Sequence, residues 1–199
     1  MKEVIVLISG GIDSFVMTYL LMRRNFCVYP LFVDYGHLSA KEELAATERI
    51  CEFLNIQSPL VVKINGLSNL VSCGLTKGSI ESDFFPSRNI LLLTVASSIA
   101  QSRGIHAIAL GIIGSGRSFP DSTLEFARAA ERFLSTFSNF KIIIFTPLSS
   151  VSKVDIVSFA KREGLPLEIT YSCQKGGEEH CGVCPSCRER FESLTASLG

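Results

Sequence analysis

Val4-Ile5-Val6-Leu7-Ile8 runs directly into Ser9-Gly10-Gly11-Ile12-Asp13-Ser14, and a helical pattern follows. An unbroken apolar run of this length reads as a strand buried in a parallel sheet. Two consecutive glycines let the backbone bend and approach an anion with no Cβ in the way. Backbone N–H groups at the start of the next helix then face that anion, and the helix dipole adds partial positive charge. Asp13 can help hold a metal that bridges phosphates, and Ser9 and Ser14 can donate to phosphate oxygens. No lysine follows the turn as in a kinase-type P-loop, and Gly-x-Gly-x-x-Gly is absent. The turn is therefore a phosphate cradle of neither of those kinds.

Working outward, strand and helix patterns alternate. Strands are expected over residues 3–8, 28–33, 59–64, 106–112 and 141–145. Helices are expected over residues 14–24, 40–54, 89–103, from Pro120-Asp121-Ser122 to about 137, and 153–163 with Ser152 as its cap. Pro30 inside the second strand implies some irregularity or an edge-like pairing there. The second helix is amphipathic, with its Glu and Lys residues on the outer face. The third is apolar around most of a turn, so more than one of its faces should be buried. Residues 65–86 have no clean period, which in a compact domain marks a functional or mobile loop. Five strands alternating with helices predict an α/β fold, a doubly wound parallel five-stranded sheet. In such sheets ligands sit beyond the carboxyl ends of the strands. Residues 9–14, 34–37, 111–116 and 146–148 all follow strands and should share one rim.

The 199 residues fit one domain, and 47% of them are hydrophobic. Formal net charge is zero, which argues against an extended nucleic-acid surface. The apolar runs are too short for a signal peptide or a membrane span, so the expected place is the cytoplasm. There, seven cysteines imply metal binding or catalysis rather than disulfides. Four of them, Cys173, Cys181, Cys184 and Cys187, are spaced C-x7-C-x2-C-x2-C. That spacing suits a closed tetrahedral zinc site. An iron–sulfur cluster or free thiols remain open at this point. Cys27, Cys51 and Cys73 are isolated and receive no role.

The turn at residues 9–14 resembles the PP-loop of the ATP-pyrophosphatase superfamily. Further blocks narrow the resemblance: Val33-Asp34-Tyr35-Gly36, Pro86-Ser87-Arg88-Asn89, Gly111, Phe119-Pro120-Asp121, Thr146-Pro147-Leu148 with Lys153, and the four cysteines. Over nearly its whole length the chain is similar to the 7-cyano-7-deazaguanine (preQ0) synthase family. The resemblance implies an adenine nucleotide alpha-hydrolase-like domain over 1–170 and a four-cysteine zinc-binding tail over 171–199, packed on the same domain. It implies an ATP-dependent carbon–nitrogen ligase that joins ammonia to 7-carboxy-7-deazaguanine through an adenylated intermediate and forms a nitrile. Ile8, Ser9, Gly10, Gly11, Ile12, Asp13, Ser14, Asp34 and Gly111 would bind ATP with Mg2+. Asp13, Arg88 and Lys153 would be catalytic, neutralising charge at the phosphates. Tyr35, Phe119 and Asp121 would bind substrate, although Asp34 also suits a turn and Asp121 a helix start. A structural zinc and a homodimer are implied as well.

The chain departs from the family pattern in three places. His37-Leu38-Ser39 stands where the family usually has Gln-Arg-His, and Ser87 where it has glycine. Residues 112–123 lack the usual acidic residues and the Cys-Arg that ends them. The third departure raises an alternative: a paralogue that adenylates a deazaguanine or other carboxylate and joins it to another acceptor, such as a protein amine.

Overall fold

A computed structural model describes residues 2–77, 84–114 and 119–197. The strands are β1 (Lys2–Leu7), β2 (Phe26–Asp34), β3 (Leu60–Lys63), β4 (Ala107–Ala109) and β5 (Ile143–Phe145). All pairings are parallel, in the order β3-β2-β1-β4-β5. Helices α1 (Ile12–Arg23), α2 (Ala40–Phe53), α5 (Arg88–Arg103), α6 (Leu124–Ser138) and α7 (Lys153–Arg162) cover the sheet. Short helices α3 (Leu67–Leu70) and α4 (Gly74–Lys77) occupy the stretch expected as a loop, and α8 (Pro185–Ala196) follows the cysteines. No helix among the described residues is long and apolar enough to cross a membrane.

The period of two along β1 sorts its side chains onto both faces. Val4, Val6 and Ile8 join Phe15, Val16, Ile156 and Val157 from α1 and α7 in one core. Ile5 and Leu7 join Leu93, Ala96, Ala130 and Leu134 from α5 and α6 in the other. That two-sided burial is why the strand reads as continuously apolar. The expected doubly wound sheet is present, and its chain order reverses on either side of β1. The turn after β1 and the segment after β4 therefore flank the crevice where such sheets take ligands.

Pro30 shows how the sheet accommodates a missing donor. It pairs with Val6 on β1, whereas the ladder to β3 begins only at Leu31. The Leu31 carbonyl accepts from Ile8 on the β1 side. Alternation along the strand then turns the Pro30 nitrogen to the side where no partner has yet arrived. The fourth strand is shorter than expected. Leu110 donates to the Phe145 carbonyl, but Ile112 donates back to Leu110, so the chain turns there instead of extending. The helix expected from Pro120 starts later, at Leu124, because Ser122 closes a turn onto Phe119 and the Thr123 hydroxyl caps Phe126 N–H. Ser152 caps α7 through Asp155 N–H as expected.

Gly10 is left-handed, at φ +72°. A Cβ there would lie 2.5 Å from the Glu43 carbonyl oxygen and 2.8 Å from Ala46 Cβ on α2. Gly104 is left-handed too, but a Cβ would meet nothing within 4 Å. Left-handed backbone costs an L-residue about 1–2 kcal/mol. Gly104→Ala should therefore lower Tm by a few degrees, on the scale of about 2–4 °C per kcal/mol for a chain this size. Gly10→Ala carries the same backbone strain plus the clash with α2, and should lower Tm at least twice as far. Thermal melts of the two variants decide it: equal shifts would mean that α2 yields freely.

Candidate active site and cysteine cluster

A cavity of about 320 Å³ opens at the switch point between β1 and β4. Ile8, Ser9, Gly11, Ile12, Asp13 and Ser14 line it from the turn after β1, and Gly111 from the segment after β4. Tyr35, Arg88 and Lys153 complete the sequence-derived residues in its wall. Gly10, Asp34, Phe119 and Asp121 are not in that wall. Gly10 stands behind the turn, against α2. Asp34 Oδ1 accepts from Gly36 N–H at 2.8 Å, the turn position. Asp121 Oδ2 accepts from Asn89 N–H at 3.0 Å and its carbonyl from Asn89 Nδ2 at 2.6 Å, so it anchors the start of α5. Phe119 stacks on Phe84, with ring centroids 5.4 Å apart. Residues 115–118 of the departing segment lie outside the described residues.

The turn itself is preorganised. Ser14 Oγ donates to the Gly11 carbonyl at 3.0 Å and accepts from Ser9 N–H at 3.3 Å. Gly11 caps α1 without a side chain, so the first N–H groups of the helix have no partner from the cap residue's side chain. Such a turn, with the positive end of a helix behind it, has the chemistry to take an anion. Lys153 Nζ bridges both Asp13 oxygens, at 2.7 and 2.8 Å, across 140 positions of sequence. A cation in the first turn of α7 opposes that helix's own dipole. The Asp13 carboxylate, on the facing helix, is what offsets it.

At the far end of the cavity Arg88 meets Tyr35. Burial pushes the Tyr35 phenol up to about 12; nearby Arg88 pulls it down, but burial wins. Burial likewise works against the Arg88 charge, and Tyr35, Glu43 and Asp121 together raise its pKa nonetheless. The phenol thus stays neutral beside a fixed cation. Ser87, left-handed at φ 60°, turns the chain into α5 so that Arg88 is its first residue.

Sequence reasoning missed part of this wall. The period of α2 puts Glu43 on the outer face, yet its Oε2 lies 3.1 Å from His37 Nε2 and its Oε1 accepts from Ser39 Oγ at 2.6 Å. Ser172, Gln174, Ser186 and Glu189 also line the cavity, from the chain around the cysteines. The periodicity of α2 could not reveal the first, since Glu43 turns inward only because the loop before the helix folds over it. Proximity to the cysteine block was the one available signal for the others.

The four cysteine sulfurs lie within 4.8 Å of one another, and three of the residues are buried. Four Zn–S bonds of about 2.3 Å imply S···S edges of about 3.8 Å in a tetrahedron, which this arrangement approaches. Cys184 N–H points at the Cys181 sulfur at 3.3 Å and Cys187 N–H at the Cys184 sulfur at 3.4 Å. Cys184 also caps α8, so the dipole of that helix favours a thiolate there. Burial raises the Cys181 thiol, but the N–H groups of Cys184 and Val183 together with hydrogen bonds from the Cys173 and Cys184 thiols bring it down to about 6. Burial keeps Cys187 raised. Such a donor set can bind one thiophilic metal ion. The block packs on the main domain. Ala46 of α2 clusters with Tyr171, Cys173, Cys184 and Cys187, and Tyr171 N–H donates to the Gly10 carbonyl at 2.9 Å. Arg190 ties α8 to the preceding chain through Thr170 Oγ1 at 2.6 Å and the Leu167 carbonyl at 2.8 Å.

Among solved structures the fold is shared with the U34-tRNA thiolase NcsA from Methanococcus maripaludis, determined with its 4Fe-4S cluster (TM-score 0.54, 16% identity, 98% of this chain and 64% of that one). It is shared equally with a 4-thiouridine synthetase in complex with RNA and bound ATP (TM-score 0.54, 21% identity, 99% of this chain and 50% of that one). At these identities the likeness concerns the fold alone. Sequence relatives are far nearer. The 7-cyano-7-deazaguanine synthase of Campylobacter jejuni subsp. doylei is 32% identical over 97% of this chain and 93% of its own length. The 7-cyano-7-deazaguanine synthase 1 of Desulfitobacterium hafniense is 33% identical over 97% and 91%. The family model described as queuosine biosynthesis protein QueC matches residues 3–198, from the first residues of β1 to beyond α8. With the turn, the Asp13–Lys153 pair and the four cysteines all inside that span, the chain belongs to the QueC family.

Proposed function

We infer that this chain is an ATP-dependent ligase that converts 7-carboxy-7-deazaguanine and ammonia to 7-cyano-7-deazaguanine, acting in the cytoplasm and as a homodimer. The observation that carries the reading is one cavity holding the anion-binding turn, the Asp13–Lys153 pair and Arg88, in a chain matched by the family along residues 3–198. The family match does not favour the alternative of a different acceptor.

The chemistry needs charge neutralisation and positioning more than covalent help from the protein. A carboxylate oxygen of the substrate attacks the α-phosphorus of ATP and pyrophosphate leaves. Ammonia then attacks the acyl carbon, AMP leaves, and an amide results. A second ATP is attacked by the amide oxygen, again releasing pyrophosphate. Loss of AMP and of both amide N–H protons gives the nitrile. In this scheme the N–H groups of residues 9–14 hold the phosphates. Lys153 and Arg88 offset charge as pyrophosphate departs, and Tyr35 packs beside the acceptor. Asp13 would hold the magnesium that accompanies ATP, which supplies further neutralisation. Gly111 would line the cavity, while Asp34, Phe119 and Asp121 act from outside its wall, Asp34 by holding the turn at Gly36 and Asp121 by fixing the start of α5.

Cys173, Cys181, Cys184 and Cys187 would hold one zinc ion as a structural centre. A four-iron cluster puts each cysteine on a separate iron and spreads the sulfurs further apart than the 4.8 Å found here. Zinc also suits the tail's task of covering the turn, since such sites contribute folding energy.

Incubation with 7-carboxy-7-deazaguanine, ATP and ammonium should release pyrophosphate and yield a product with the mass of the nitrile. No ATP-dependent product under these conditions would sink the reading. Lys153→Met should cut kcat by about 10²-fold or more while leaving the melting curve within a few degrees. An unchanged kcat would remove Lys153 from the catalytic set. Elemental analysis of purified protein should give one zinc per chain, and Cys184→Ser should lose the metal and lower Tm. Iron with visible charge-transfer absorbance would assign the cysteines to a cluster instead.

A further inference from the structure

Helix α5 begins without a cap of its own. The N–H groups at a helix start need partners from outside the helix. Ser87 stands at the cap position, yet its side chain accepts none of them. Arg88 N–H donates to the Phe85 carbonyl. The next N–H, of Asn89, donates instead to Asp121 Oδ2 at 3.0 Å. A carboxylate 32 positions away thus does the work of the missing cap, and its charge faces the positive end of the helix. Asn89 Nδ2 donates in turn to the Asp121 carbonyl at 2.6 Å, so two bonds join the same pair of residues. Asn89 is buried, which keeps water from competing for them. The turn that presents Asp121 is closed by Ser122 Oγ on Phe119, and Phe119 stacks on Phe84 just before α5.

Ser87 is what makes this clamp matter. Its backbone is left-handed, at φ 60° and ψ 19°, a conformation costly to a residue with a Cβ. Such a residue persists only where its surroundings hold it there. The glycine usual in the family at this position would need no holding. Arg88 follows directly, in the first turn of α5, and forms part of the cavity wall beside Tyr35. Release of Ser87 from left-handed space would swing the chain that carries Arg88. Asp121 itself is not in the cavity wall, so its influence on the reaction runs through α5.

We propose that Asp121 is the positioning residue for Arg88: it caps α5 from the segment after β4 and holds Ser87 in the backbone state that keeps Arg88 in the cavity wall. The proposal rests on reading the cavity as the ligase site. It gives Asp121 a mechanical role in place of the substrate contact that the family resemblance implies.

The test is a double-mutant cycle in the turnover of 7-carboxy-7-deazaguanine, with Asp121→Ala, Arg88→Ala and the two together. Asp121→Ala alone should lower kcat by about 10- to 100-fold, the scale on which misplacing a group by about 1 Å acts, with KM for the deazaguanine changed less than about twofold. In the Arg88→Ala background the same substitution should cost less than about twofold, because no guanidinium is left to place. Asp121→Asn separates the cap from the charge. It keeps an acceptor for Asn89 N–H and should retain at least about a third of the wild-type kcat. A direct substrate ligand would behave otherwise: KM would rise, and the loss would be as large without Arg88 as with it. Either result overturns the proposal, and so does an Asp121→Asn enzyme as slow as Asp121→Ala. Thermal melts accompany the kinetics. If Asp121→Ala does not fold, Asp121→Ser, whose hydroxyl is too short to reach Asn89 N–H, completes the same cycle. If wild type turns over no deazaguanine, the ligase reading fails instead. The cycle is then read on the dissociation constant of a non-hydrolysable ATP analogue, where Arg88→Ala should weaken binding and abolish any further effect of Asp121→Ala; additive losses there overturn the proposal.

Discussion

The contact between Gly10 and α2 is the constraint on which the rest depends. The turn at residues 9–14 must bend sharply at the end of β1, and it does so by entering left-handed space where only glycine sits without strain. The absence of a Cβ lets α2 approach until the Glu43 carbonyl and Ala46 lie against the turn. The Gly10 carbonyl, turned outward by the same bend, accepts the Tyr171 N–H at 2.9 Å. One residue thereby fixes three things: the direction of the N–H groups of α1, the seat of α2, and the attachment of the cysteine block.

Electrostatics follow from that geometry. With the turn held, α1 presents its positive end to the cavity, and Lys153 and Arg88 add two cations. A site that positive would be costly while empty, because like charges close together repel. Each cation has an internal counterweight: Asp13 for Lys153, and Glu43 and Asp121 around Arg88. Under the proposed function, incoming phosphates would compete with Asp13 for Lys153 instead of meeting bare charge. The pair is only partly exposed, so screening by solvent is incomplete and the exchange is energetically meaningful.

Much of this was legible in the sequence, and the legible part was local. A strand running into two glycines, an aspartate and a helix is decided by neighbouring residues, as are the Ser152 cap and the C-x2-C steps. The unbroken apolar run of β1 carried the parallel sheet because burial on both faces leaves no alternation to see. The misses are long-range. Glu43 sits on a helix whose polar face looks outward by period, and only the fold of residues 35–39 over that helix turns its carboxylate inward. Asp121 belongs to the Phe119-Pro120-Asp121 block, where a substrate role and a helix-start charge read equally well, and local sequence could not reveal that its carboxylate accepts from Asn89 N–H, 32 positions earlier. The start of α6 shifted because Ser122 and Thr123 compete for capping, and the one that closes a turn onto Phe119 leaves the cap to the other.

The cysteine block is more than an appendix to the sheet. Its chain supplies Ser172, Gln174, Ser186 and Glu189 to the cavity wall, and its first buried residue, Tyr171, holds the Gly10 carbonyl. A segment of this kind, with α8 as its only long helix, has little apolar surface of its own to bury. Its position against α2 is set by the sulfur cluster, by Ala46 packing on it, and by the Arg190 bonds. A metal in the four-sulfur site would draw residues 173 and 181–187 to a common centre, and through Tyr171 would stiffen the turn at residues 9–14. The placement makes sense of why a metal-type motif lies at the far end of a nucleotide-binding chain. The turn at residues 9–14 is braced by α2 on one side, and the cysteine block is the brace on the other.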